Sequence, residues 1–403
     1  MIIRFTAENW MSFKEKVELS FLPSREKQHN QRIAYSDKLD MKVLPIACIY
    51  GGNASGKSNL FKAMAFCQDF ILKSLEPEAF ISIDPFCLDK MSMDAPSSFG
   101  FDLLIDEQIY EYRFSVSRQN VESESLWITQ KSKRKMHFER NGQEFKLGKD
   151  LEKDPQVKFI TTSSRHEQPL IRPNQLFLNA CSYNNIDTFK TLFHWFKYSL
   201  MLINPKSRFL FQGAFFSDAS LKKKFEDSLR NLDTGIAQIN YEEIQLDHIP
   251  FPEEGKLKAK KMTTSHPSAD GGLMRMELHQ ESEGTQRLID LLPAFIQLQN
   301  TSSKVSLFID ELDRSLHTLL TRQLLASFLQ QASPEFRNQL IFTTHDVLLM
   351  DQDLFRRDEM WVSERNPQGI SDLYSFSEFK EIRYDKDICK SYLQGRLGGV
   401  PRF

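Results

Sequence analysis

The sequence is short of cysteine pairs, of net charge and of long apolar runs, and each shortage removes a class of function. Its five cysteines, Cys48, Cys67, Cys87, Cys181 and Cys389, show no C-x-x-C spacing. An odd, unpatterned set supports neither a disulfide framework nor a zinc site, and it points to a reducing, cytoplasmic home. The formal net charge is −2 over 403 residues. The chain as a whole is therefore no electrostatic magnet for nucleic acid, and any contact with DNA or RNA has to come from local patches. No stretch approaches the roughly 18 consecutive apolar residues that cross a bilayer. The first residues, Met1 to Glu8, mix charge into the apolar positions, unlike a signal peptide. Membrane and export readings drop out. What is there is ordinary for a soluble globular protein: 40% hydrophobic and 26% charged residues, in a chain long enough for two or three folding units.

Alternation and β-branched or aromatic content predict strands at 2–6 and 17–21, and the apolar run Ile46 to Tyr50 reads as a buried parallel strand. A helix is expected from Lys57 to about Lys73, because Leu60, Met64, Cys67 and Ile71 fall at helical spacing. Residues 98 to 128 read as an antiparallel meander with Asp106-Glu107 as a turn, and Asn141-Gly142 predicts a type I′ hairpin between Phe138 and Phe145. Helical spacing returns at 186–202 and 219–232, so a helical insertion is expected through the middle of the chain. No heptad persists there, which argues against a long coiled-coil arm. After Pro267 and Gly271-Gly272, strands and helices alternate: strand 273–278, a helix from about Gly284, strand 305–309, a helix over about 315–330, and strand 339–343. That alternation predicts a parallel sheet with covered faces. No internal repeat is present.

The chemistry concentrates in four places. Gly51-Gly52-Asn53-Ala54-Ser55-Gly56-Lys57-Ser58 fits G-x-x-x-x-G-K-[ST] and sits between a predicted buried strand and a helix, the context a P-loop requires. Backbone N–H groups of such a loop, with Asn59 on the first helical turn, close around phosphate oxygens. Lys57 reaches the β and γ phosphates, and the Ser58 hydroxyl takes Mg²⁺. The bland alternative is a glycine-rich turn with no ligand. Second, the apolar strand Val305 to Ile309 delivers Asp310 and Glu311 at its C-terminal end, where doubly wound sheets bind ligands. Asp310 would hold Mg²⁺ through water and Glu311 would activate the attacking water, although adjacent acids also serve as solvated strand caps. Third, strand 339–343 ends in Thr344-His345-Asp346. His345 is either a packed turn residue or a hydrogen-bond donor to the γ-phosphate. Fourth, Glu281-Ser282-Glu283-Gly284-Thr285-Gln286 precedes a helix that Ser282 can cap.

The order of these elements, P-loop, Ser-x-Gly, Asp-Glu strand and His strand, resembles the ABC ATPase superfamily in its SMC, RecF and OLD-like branch. The segment Asn9-Trp10-Met11-Ser12-Phe13-Lys14, the Glu-Ser-x-Gly-Thr signature, the run Asp310 to His317 and the C-terminal Tyr392 to Pro401 are similar to the stand-alone AAA/ABC-like ATPases of prokaryotic antiphage and abortive-infection loci. The resemblance implies an α/β ABC-ATPase head fold with a mixed β-sheet N-terminal lobe, a parallel P-loop core sheet and a helical insertion. The expected division is 1–170, 171–265 and 266–403. It also implies ATP with Mg²⁺ as the ligand and ATP hydrolysis as the activity. Ser282 and Gly284 would meet the γ-phosphate held at a partner's Lys57, and Asp313 would lie in the loop linking two composite sites. Thr285, with Glu283, stands where the usual signature has Gln and Gly, and is counted with the nucleotide-binding residues. Two copies would thus sandwich two ATP molecules in a homodimer or larger homo-oligomer. No glutamine is securely matched to the family's Q-loop, Gln175 being the candidate, and no aromatic residue is assigned to the adenine ring.

OLD-family enzymes carry a nuclease after the ATPase. The stretch after His345 is too short for one, so a hydrolytic effector is expected to be a separate protein, with the ATPase as its sensor or regulator. The competing readings are a RecF-like repair ATPase that clamps DNA and a scaffold that uses ATP as a structural switch. The basic clusters Lys131-Ser132-Lys133-Arg134-Lys135, Lys222-Lys223-Lys224 and Lys256 to Lys261 read as solvated faces first. They are also candidates for a nucleic-acid or acidic-partner surface.

Overall fold

The structure is a computed structural model that describes residues 1–131, 133–161, 170–207, 218–232, 234–245, 258–379 and 387–400. The chain divides into two units. One comprises Met1–Asn204, Thr301–Leu312 and Ala326–Phe403, the other Pro205–Asn300 and Asp313–Leu325.

The first unit is built on two sheets. The antiparallel one contains β1 (Ile2–Glu8), β2 (Val17–Ser20), β6 (Ser97–Ile105), β7 (Gln108–Val116), β8 (Val121–Gln130), β9 (Lys133–Asn141) and β10 (Glu144–Leu147), in the order β10-β9-β8-β7-β6-β1-β2. Its meander is as the alternation predicts. Asp106 and Glu107, with φ of 47° and 59°, make the two-residue turn between Ile105 and Gln108. At the other hairpin, Asn141 pairs with Glu144, so the turn residues are Gly142 and Gln143. Only Gly142 has a positive φ. The expected type I′ turn at Asn141-Gly142 is therefore shifted by one residue into a turn with glycine at its first central position.

The second sheet contains β5 (Ile46–Tyr50), β11 (Leu200–Ile203), β15 (Ser306–Ile309), β16 (Gln339–Thr343), β17 (Met360–Arg365) and β18 (Ser371–Ser375), in the order β11-β15-β16-β5-β17-β18. All neighbours are parallel except β17 and β18. Strand β5 is buried at every residue, which is why its text is continuously apolar rather than alternating. Two short strands, β3 (Ala34–Ser36) and β4 (Met41–Val43), form a separate hairpin.

The helix Lys57–Leu72 lies between the two sheets. Phe61 meets Phe308 of β15 edge-on at 5.2 Å, while Phe66 packs on Phe99 of β6 at 5.2 Å and on Trp10 at 5.0 Å. Each such aromatic pair adds about 1 kcal/mol beyond simple burial. The aromatic clamp holds the N-terminus of this helix, and with it the P-loop, against the C-terminal ends of the parallel strands.

The stretch 171–265, expected to be a helical insertion, is helical only in part. The segment 186–202, expected to be one helix, contains the helix Asp187–His194, a π-helical turn over Trp195–Ser199 and then β11. Four successive apolar residues, Leu200 to Ile203, suit a buried strand as well as a helix face, and periodicity cannot separate the two over so short a run. Pairing with β15 decides it. The second unit contains the helix Ala219–Asn231 and an antiparallel sheet of β12 (Gln238–Gln245), β13 (Lys258–Pro267) and β14 (Leu273–Glu277), followed by the helix Glu283–Gln299. Lys256 and Leu257 lie outside the described residues. Among the described residues, no helix is long and apolar enough to cross a membrane.

A buried charge network ties the loop before β3 to the approach of β17. Arg356, fully buried, donates to both oxygens of Asp358 and to the Gln28 carbonyl, and Arg32 donates to Glu359. Burial pushes the Glu359 carboxyl up to about 7, although the Arg32 guanidinium pulls the other way. Between its ordinary value and about 7 the folded chain holds a proton that the unfolded chain releases. Stability should therefore be highest below that window and fall as pH rises through 7. The expected result is a melting temperature that drops between about pH 5 and 7 in wild type, with a flatter profile in Glu359→Gln. Equal profiles would show that Glu359 is already ionised in the fold.

Candidate functional site

The P-loop leaves β5 and turns into the helix Lys57–Leu72 at Gly56. At φ 115° Gly56 is in glycine territory, and a Cβ there would stand 2.7 Å from the Ser371 hydroxyl, so no other residue fits without moving β18. Ser363 of β17 donates to the Ser55 carbonyl at 2.9 Å. The turn after β1 supports the helical side. Asn59 donates to the Ser12 hydroxyl at 2.7 Å, the Trp10 indole donates to the Asn59 carbonyl at 3.1 Å, and the Ser12 carbonyl accepts from the Ser371 N–H at 2.7 Å. The family-like segment around Ser12 therefore has a local physical task, which is to brace the phosphate loop.

Lys57 is buried, and its ammonium donates to the Gly51 and Gly52 carbonyls at 2.7 and 2.9 Å. The His345 ring nitrogen Nδ1 is 3.5 Å away. Strand order explains this meeting. Because β15, β16 and β5 run parallel as neighbours, the acid pair, His345 and the P-loop leave the sheet from the same edge. Ser58 donates to Asp310 Oδ1 at 3.2 Å. Thr343, the last residue of β16, donates to the same oxygen at 2.7 Å and accepts from the Glu311 N–H at 2.8 Å. Asp310 is buried, whereas Glu311 turns sharply away at φ 53°. Adjacent carboxylates are thus given different surroundings: Asp310 is hydrogen-bonded inside, and Glu311 faces the cavity.

That cavity, of about 680 Å³, is lined by Asn53 to Asn59 together with Glu311 and His345. Its far wall comes from Met11 and Ser12 of the family-like segment and from residues the sequence reading missed: Asp84 to Leu88 and Met93, and Arg118 and Arg365. Leu88 and Met93 are exposed apolar side chains at its mouth. Gln175 does not belong to this lining; its amide donates to the Asn179 side chain at 2.9 Å. The structure therefore brings together Gly51 to Asn59, Asp310, Glu311 and His345.

Ser282, Gly284, Thr285 and Asp313 belong to the second unit. There Ser282 caps the helix Glu283–Gln299, accepting from the Thr285 N–H at 3.1 Å, with the Thr285 hydroxyl 2.8 Å from its own. Gly284 leaves no room for a Cβ, which would stand 2.7 Å from the Ser315 carbonyl. Asp313 opens a turn whose carbonyl accepts from the Leu316 N–H at 3.0 Å.

Residues 46–351 match the family model described as "AAA domain, putative AbiEii toxin, Type IV TA system". The chain belongs to this family of AAA-type P-loop domains. The match runs from the first residue of β5 to just past His345, so it spans the P-loop, the acid pair and His345. It bears out the ATPase resemblance that the motif order carries. Comparison with curated proteins returns no match. Among solved structures, the SMC head domain from Thermotoga maritima is 13% identical, covering 93% of this chain and 98% of its own, with a TM-score of 0.39. An SMC head solved bound to the C-winged helix domain of ScpA is 14% identical, covering 93% of this chain and 97% of its own, with a TM-score of 0.43.

The basic clusters of this AAA-domain protein are partly spent on internal pairs. Arg134 makes two hydrogen bonds to Glu111, at 2.8 and 2.9 Å, and stacks 4.1 Å from the Trp127 ring centroid. Lys135 pairs with Asp150, Lys222 lies 3.8 Å from Glu226, and Lys261 pairs with Glu277.

Proposed function

We propose that this chain binds ATP with Mg²⁺ and hydrolyses it, in a site completed by a second copy, as the sensor or regulator of a prokaryotic phage-defence system with a separate effector, a nuclease. The observation that carries the catalytic part is the convergence of Lys57, Ser58, Asp310, Glu311 and His345 on one cavity edge. The family description, which names a toxin and a toxin–antitoxin system, supports the defence part.

Ser58 and Asp310 supply adjacent hard oxygen donors, the set that suits Mg²⁺ shared with phosphates. The metal would neutralise charge on the β and γ oxygens when bound. Lys57 would exchange its backbone carbonyl partners for phosphate oxygens. Glu311 would accept the proton of the attacking water, and His345 would donate to the γ-phosphate as charge develops there. Thr343 is the positioning residue that orients the acid pair, holding the Asp310 side chain and the Glu311 backbone at once. The base would rest against the apolar wall of Met11, Phe86, Leu88 and Met93, with Arg118 at its edge.

The composite-site part of this reading rests on the Ser-x-Gly signature. Ser282→Arg places a large cation where a partner's γ-phosphate would dock. Turnover should fall by about a hundredfold, as for loss of one preorganised transition-state contact, and any ATP-induced dimer should disappear in light scattering. Unchanged turnover would remove the second copy from the mechanism. The DNA-clamping alternative predicts instead that duplex DNA stimulates turnover, with a steep salt dependence.

A further inference from the structure

Residues 388–399 cross from the loop after His345 to the P-loop. The helix Ile388–Leu393 is anchored at its start, where the Cys389 thiol donates to the Val347 carbonyl at 3.3 Å and the Ile388 N–H donates to the Gln352 side chain at 3.2 Å. The chain then turns through Gly395, Gly398 and Gly399, all at positive φ. Leu397 is buried, and its carbonyl accepts from the Tyr374 hydroxyl at 3.0 Å. The Gly399 carbonyl ends the crossing by accepting two hydrogen bonds, from the Tyr392 hydroxyl at 2.8 Å and from the Gly52 N–H of the P-loop at 3.1 Å.

The second of these bonds falls on a particular peptide group. The Gly51–Gly52 unit presents its carbonyl to the Lys57 ammonium at 2.7 Å and its N–H to Gly399. One rigid plane is therefore gripped at both ends, by Lys57 on one side and by the C-terminal segment on the other. Gly51 lies at φ 147°, a region where the backbone of glycine is free to rotate. Among the described residues, the Gly399 carbonyl is the group of β18 and the C-terminal segment that hydrogen-bonds this plane. Without it, the carbonyl that receives Lys57 would be free to turn.

We infer that the C-terminal segment is a strap, and that Gly399 is a positioning residue for Lys57 acting through the Gly51–Gly52 peptide. Glycine is required at its end because φ is +70° and a Cβ would run into the Val362 side chain and stand 3.1 Å from the Tyr392 ring. The same strap touches Val347, two residues past His345, so it holds both flanks of the γ-phosphate position. This inference rests on the nucleotide-binding reading above.

The test is ATP affinity by calorimetry on the full chain, with the melting temperature of the nucleotide-free protein as control. Gly399→Ala should weaken ATP about five- to tenfold, the range expected for losing one backbone hydrogen bond. Tyr392→Phe, which keeps the ring and removes only the hydroxyl, should weaken it about two- to threefold. In a Lys57→Ala background, Gly399→Ala should cost less than about twofold, because both changes act on one peptide. Unchanged affinity in both single variants, or penalties that add fully in the double variant, would overturn the strap. A wild-type chain that binds no ATP would instead overturn the nucleotide reading on which it depends. Should Gly399→Ala fail to fold, Tyr392→Phe alone decides.

Discussion

Lys57→Ala is expected to weaken ATP binding by about ten- to a hundredfold, the loss typical of a charge-assisted hydrogen bond, and to lower turnover by about 10²–10³ as a preorganised transition-state contact is lost. Both effects follow from where the side chain is held. It is buried, threads back along its own loop to the Gly51 and Gly52 carbonyls, and stands beside His345. A cation in that position meets whatever anion the loop encloses. The substitution also removes a donor from two P-loop carbonyls, so a melting curve belongs beside the binding data. A drop in affinity with a melting temperature within a few degrees of wild type assigns the loss to ligand contact. Affinity within twofold of wild type would mean that the loop does not grip phosphate.

Glu311→Gln should separate binding from chemistry. The backbone N–H of residue 311 bonds to Thr343, and the side chain faces the cavity, so the isosteric amide leaves the acid-bearing turn in place. An amide cannot accept the proton of an attacking water, and loss of a general base typically costs about 10²–10⁴ in rate. Turnover should therefore collapse while ATP affinity is kept, and the variant should accumulate bound ATP that can be extracted intact. Turnover equal to wild type would assign the base elsewhere. Negligible rates in both proteins would favour the scaffold reading, in which ATP is a structural switch.

The parts of this molecule that were legible in sequence are those fixed by local rules. The P-loop pattern, the buried run Ile46 to Tyr50 and the helical spacing of Leu60, Met64, Cys67 and Ile71 each depend on neighbours within a few turns, and each is where the pattern places it. Asp310 and His345 were readable because each follows an apolar strand, and parallel strands end on one edge. What escaped the reading depends on distant pairing. Strand β11 is a strand because β15 lies beside it, not because Leu200 to Ile203 differ from a helix face. Strands β12 and β13 sit in a polar stretch that carries little periodic signal, so the expected helical insertion overran them, whereas β14 is the strand expected at 273–278. Thr343 was passed over because a threonine ending a strand is unremarkable until its hydroxyl is seen against Asp310. Leu88 and Arg118 come to the cavity from loops and Met93 from the five-residue helix Lys90–Asp94, where side-chain direction has no period to follow. The glycines at 398 and 399 carried a signal, since paired glycines mark a backbone need, but their contact with Gly52 spans most of the chain.

The most direct test of the central claim is equilibrium binding of Mg·ATP to the wild-type chain, with competition by ADP and by AMP. A P-loop closed on β and γ phosphates predicts saturable binding of one nucleotide per chain, displaced by ADP and not by AMP. Absence of saturable binding, or displacement by AMP as effective as that by ADP, would contradict it.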